Sequence, residues 1–64
     1  NPKYSSNFIG QGKVHNAKGE KVKAIESYLL GADIAKENGK EKKVTDAYKR
    51  AKSVVTKFYG AKKY

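Results

Sequence analysis

The residues of this sequence able to do covalent or acid–base chemistry are few. His15 is the only histidine, cysteine is absent, and the carboxylates are Glu20, Glu26, Asp33, Glu37, Glu41 and Asp46. A nucleophile needs an activating base, and the base needs an orienting group. No thiol exists and no acidic neighbour is expected beside His15, which therefore reads as an exposed loop residue. Carboxylates spaced among lysines fit helix ion pairs and solvated faces better than an acid and base couple. "GQGK", residues 10–13, has the glycines and the lysine of a phosphate-cradling loop. A Walker motif, however, needs Gly where Asn7 stands and Ser or Thr where Val14 stands. The Cys/His cluster of a structural zinc is missing too. The expectation is a protein that is not an enzyme and carries no cofactor and no metal.

What remains is the chemistry of cations. The net charge is +9, from 15 basic and 6 acidic side chains in 64 residues, and an excess of that size favours anionic partners. Arg50 is the only arginine. Lysine is a mobile point charge, whereas arginine forms the planar fork that grips phosphate or guanine bidentately. The composition thus suits a diffuse anionic surface rather than a base sequence. The charge is spread unevenly: +3 over residues 1–19, −1 over 20–39 and +5 over 40–57, with Lys62 and Lys63 completing the total. The candidate anionic-surface residues are Lys43, Lys49, Arg50, Lys57, Lys62 and Lys63, together with Tyr59 and Tyr64. An aromatic and cationic terminus suits a membrane interface, and equally suits stacking on unpaired bases.

Those cations need a scaffold. At this length the chain is one small domain, near the size at which a single apolar core barely offsets chain entropy, and neither disulfide nor zinc can staple it. Residues 1–19 hold Gly10, Gly12 and Gly19 behind an Asn-Pro start and read as irregular, with Phe8 or Ile9 pinning the segment to a helix. A weak hairpin turning at "NAKG" is the alternative there. Residues 20–38 read as a helix, in which Val22, Ile25, Tyr28, Leu29, Ala32 and Ala35 share a face while Leu30 and Ile34 form a second stripe. Asn38-Gly39 marks a turn, because both residue types tolerate the left-handed conformation that ends a helix.

Residues 40–59 read as a basic amphipathic helix, with Val44, Ala47, Tyr48, Ala51, Val54 and Phe58 recurring every three or four positions; Gly60 stops it and residues 60–64 form a tail. Tyr28 and Tyr48 are both expected in the core. The expected fold class is all-α: a small antiparallel helical hairpin with an irregular N-terminal segment packed on it. Leu30-Gly31 and Ile34, followed by Val44, Tyr48 and Ala51, resemble the helix pair of a tetratricopeptide repeat. The register departs by one residue between the halves and no second copy follows, so the pair is read as ordinary helix packing.

A start at Asn1 rather than Met is expected from processing, with removal of a secretory signal peptide the favoured route, and a cysteine-free secreted chain leans towards a bacterial source. The functional expectation is therefore a secreted cationic antimicrobial or bacteriocin-like protein. Its partner would be an anionic membrane or cell-wall surface, with a receptor on the target cell as a further partner. The alternatives are a nucleic-acid-binding protein without sequence preference, and a small accessory subunit docked on a larger acidic assembly through Leu30 and Ile34.

Overall fold

Three helices make up the described residues: α1 (Lys3–Ala17), α2 (Lys21–Glu37) and α3 (Glu41–Phe58). The computed structural model describes residues 3–58 and Gly60. The all-α expectation holds. The irregular segment expected over residues 1–19 does not, since residues 3–17 are helical.

Packing explains that difference. Ser5, Ile9 and Gly12 are buried, and their spacing of four and three puts them on one side of α1, against α2. The Tyr28 ring lies on the backbone of Gly12, where an added Cβ would stand 2.6 Å from the ring. A glycine in a helix costs about 1 kcal/mol relative to Ala. Burying a tyrosine against that backbone returns more, because an aromatic side chain buries about 150–250 Å² at about 25 cal/mol per Å². The stability of α1 thus comes from its tertiary contact rather than from its own propensities.

Both connections use the same device. Gly19 has φ +80 and Gly39 φ +70, while Glu20 N–H donates to the His15 carbonyl at 2.9 Å and Lys40 N–H to the Ala35 carbonyl at 2.8 Å. A left-handed glycine followed by a bond reaching five residues back is the Schellman ending of a helix. "NAKG" is accordingly a helix end and not a strand turn. At the second connection Asn38 keeps φ −91, so Gly39 alone takes the left-handed step.

The helices form a thin layer. The Cα trace extends 41 × 22 × 12 Å, and α2 packs against both neighbours while α1 and α3 barely meet. Gly31 of α2 faces Ile9 and Ser5, and Gly12 faces Tyr28, so α1 and α2 run in opposite directions. Lys21 Nζ sits 4.4 Å over the Phe58 ring and Tyr28 lies beside Arg50, which sets α3 opposite to α2 as well. The core contains Ile9, Ala24, Tyr28, Ala32, Ala47, Ala51 and Val54, with Ile25 and Phe58 partly buried against it. Alanine at the crossings lets the backbones approach closely, and this narrows the buried seam. Residues at the margin of each apolar arc therefore fall outside it: Tyr48, expected in the core, is 46% exposed, and Val22 and Leu29 are 59% and 41% exposed.

Candidate anionic-surface interface

The seam residues of α3 are Ala47, Ala51 and Val54, which are buried, with Val44 and Phe58 half-buried. They fix the direction of everything else on that helix, since each successive residue turns by about 100°. Lys43, Asp46, Arg50 and Lys57 each precede a seam residue and point to the side where α1 lies. Three of these are already engaged. Lys43 Nζ donates to Ser6 Oγ of α1, and Arg50 Nε donates to Asp46 Oδ2 at 3.0 Å. That hydrogen bond from Arg50 holds the guanidinium pKa above its usual value. Burial pushes the neighbouring Tyr28 hydroxyl up, and the adjacent Arg50 charge opposes the shift. Arg50 is thus held by Asp46 on its own helix and lies beside Tyr28 of α2.

Lys42 and Lys49 lie seven residues apart on the side of α3 turned away from the seam, and both are exposed. Lys57 is exposed, with Nζ 5.7 Å from the Phe58 ring, and Lys52 is exposed on the flank away from α1. None of these four lysines is in an ion pair among the described residues, where the pairs are His15 with Glu20, Lys23 with Glu20, and Arg50 with Asp46. Of the residues expected at the site, Lys43, Lys49, Arg50 and Lys57 are therefore spread over two sides of α3. Tyr59, Lys62, Lys63 and Tyr64 lie outside the described residues. Lys42 and Lys52 were missed by the sequence reading. The signal was present, because Lys42, Lys49 and Lys52 follow helical spacing away from the apolar stripe. Of the exposed carboxylates, Glu26, Asp33 and Glu37 are on α2 and only Glu41 is on α3, so the positive field of the layer is lopsided towards α3. Leu30 is 50% exposed and Ile34 half-buried on the α1 flank of α2.

His15 is neither in a loop nor without an acidic neighbour. It occupies the last turn of α1, and Nδ1–H donates to Glu20 Oε1 at 2.7 Å. The helix end at Gly19 brings the two together across the turn. The hydrogen bond from His15, helped by the charges of Lys23, His15 and Lys18 and opposed by burial, holds the Glu20 carboxyl below its usual range. A carboxyl whose pKa is lower folded than unfolded contributes stability that is fully present above the unfolded value and disappears as pH falls through the folded one. The stability difference between the native protein and Glu20→Gln should accordingly shrink as pH falls below the ordinary glutamate pKa of about 4.3. Urea unfolding of both proteins at a series of acidic pH values measures this. A difference that grows with acidity would remove the assigned role of the pair.

An open shelf lies at the α2–α3 turn, lined by Lys36, Lys40, Glu41, Val44, Thr45 and Tyr48 among others. Among the described residues no three His, Cys, Asp or Glu side chains gather as a metal site. No helix among them is long and apolar enough to cross a membrane. Comparison with protein-family models, with curated proteins and with solved structures finds no match for this chain.

Proposed function

We propose that this is a secreted cationic protein of the antimicrobial or bacteriocin-like kind, acting by binding anionic cell surfaces rather than by catalysis. The observation that carries the reading is the set of exposed lysines on α3, Lys42, Lys49 and Lys57, with no carboxylate partner among the described residues. An unpaired lysine near an anionic surface contributes about 1 kcal/mol of attraction, and the contributions add over a helix that presents several. α2, whose three lysines balance its three carboxylates, lies behind α3 in that orientation. Val44, Val54 and Phe58 are held in the seam, so their insertion into a headgroup layer would require α3 to separate from α2. Binding through the lysines requires no such opening.

Titration of the full chain with anionic and neutral vesicles, and with DNA and RNA, at two salt concentrations tests the reading. Combined Lys42→Gln, Lys49→Gln and Lys57→Gln should keep the helical circular dichroism and weaken binding to anionic vesicles about tenfold or more. Added salt should imitate the substitutions by screening. Undiminished vesicle binding by the triple variant would sink the proposal. Tighter binding to nucleic acid than to anionic vesicles would transfer the function to the nucleic-acid reading.

A further inference from the structure

The flank of the α2/α3 pair that faces away from α1 carries a pattern the surface-binding reading does not use. In two antiparallel helices the residue following each seam residue turns to the same side of the pair. On α2 the seam runs through Lys21, Ile25, Tyr28, Ala32 and Ala35, and the residues that follow are Val22, Glu26, Leu29, Asp33 and Lys36. On α3 the seam runs through Val44, Ala47, Ala51 and Val54, and the following residues, with Glu41 one turn earlier, are Thr45, Tyr48, Lys52 and Val55. All ten are exposed. The opposite flank is the one occupied by α1, as shown by Gly31, which precedes Ala32 and meets Ile9.

Each stripe is spaced four, three, four, three, and the two match in register. The contact of Lys21 with Phe58 and the proximity of Tyr28 to Arg50 place Val22 level with Val55, Glu26 with Lys52, Leu29 with Tyr48, and Lys36 with Glu41. Within one chain these charges make no ion pair among the described residues. We infer that this flank docks a second copy of the chain about a two-fold axis parallel to the helices. That axis lays α2 of one copy over α3 of the other at the same level. Leu29 then meets Tyr48 of the second copy, Val22 meets Val55, Glu26 meets Lys52 and Lys36 meets Glu41, each pair occurring twice. A two-fold axis across the helices would instead set α2 on α2 and bring Glu26 against Asp33, a like-charge clash. The charges therefore select one arrangement. The patch is about 21 Å long, from fourteen residue-to-residue steps at 1.5 Å rise, and two helices wide, which is at the small end of specific interfaces. A weak dimer results, opposed by the net charge of each copy and strengthened as salt screens that charge. Lys42, Lys49 and Lys57 stay outside the contact, so the dimer is independent of the proposed function.

Sedimentation equilibrium on the full chain, from about 10 µM to about 1 mM in moderate salt, should show monomers passing to dimers and nothing larger. Glu26→Lys and Lys52→Glu should each weaken the dimer about tenfold, and the combined variant should restore it. Lys52→Glu lowers the net charge, so tightening by that variant would show that only long-range repulsion is at work and would overturn the pairing. Mixing Leu29→Cys with Tyr48→Cys under mild oxidation should give mostly the mixed disulfide. A preference for disulfides between two Leu29→Cys chains would refute the arrangement. A chain that stays monomeric throughout, while Leu29→Gln loses binding to phosphatidylglycerol vesicles, would assign the flank to lipid and end the proposal. Circular dichroism of each exposed-site variant checks that the helices persist.

Discussion

Tyr28→Ala should leave the chain largely unfolded at room temperature, with the cooperative thermal transition in far-ultraviolet circular dichroism lost or displaced by tens of degrees. Tyr28 is 2% exposed and is the largest fully buried side chain among the described residues. Its ring lies on the Gly12 backbone of α1, packs in the cluster with Ala47, Ala51 and Val54 of α3, and ends beside Arg50. One side chain thus joins all three helices. Truncating a buried aromatic to alanine costs about 3–5 kcal/mol, which equals the whole stability a core of this size supplies. No neighbour can refill the space, because most of those around it are alanine or glycine. Tyr28→Phe separates the ring from its hydroxyl and should cost only about 1 kcal/mol. An alanine variant melting with the native protein would mean that the ring does not bridge the seams.

Gly31→Val should detach α1 while leaving α2 and α3 paired. A Cβ at Gly31 would stand 2.8 Å from Ile9 Cγ1 and 3.1 Å from the Ser5 carbonyl oxygen. The isoleucine side chain can move, but the carbonyl belongs to a helix backbone and cannot yield without moving α1. Overpacking of this kind costs about 1–3 kcal/mol, and a branched side chain falls at the upper end. Hydrogen exchange should show the amides of α1 losing protection first, with α3 retained. Gly10→Ala is the control of opposite sign: nothing beyond its own stretch of helix backbone lies within 4 Å of a Cβ there, so the substitution should stabilise by about 0.5–1 kcal/mol through helix propensity. Equal loss of protection in all three helices of Gly31→Val would contradict a separable α1.

The sequence by itself determined the helical class, the turn at Gly39 and the buried row Ala47, Ala51 and Val54. These are properties of local periodicity and of a residue that tolerates positive φ, and both are written in neighbouring letters. It also determined that the charge belongs to α3 and that lysine, not arginine, supplies it.

Only the tertiary structure decided that residues 3–17 are a helix. The local reading failed because glycine is penalised in an isolated helix, whereas Gly12 is required where the Tyr28 ring must reach a backbone. The partner that reverses the balance is sixteen residues away. Tyr48 was misplaced for a related reason. Its position on the helical wheel is at the edge of the apolar arc, and how wide a slice of that arc is buried depends on how closely α2 approaches. Alanine crossings bring the helices close, so the slice is narrow and Tyr48 and Val55 stand outside it. Pairing decided the rest: Glu20 joined His15 across the Gly19 turn, and Arg50 was drawn to Asp46 and Tyr28. Sequence sets which charges exist, but distances between helices set which of them remain free.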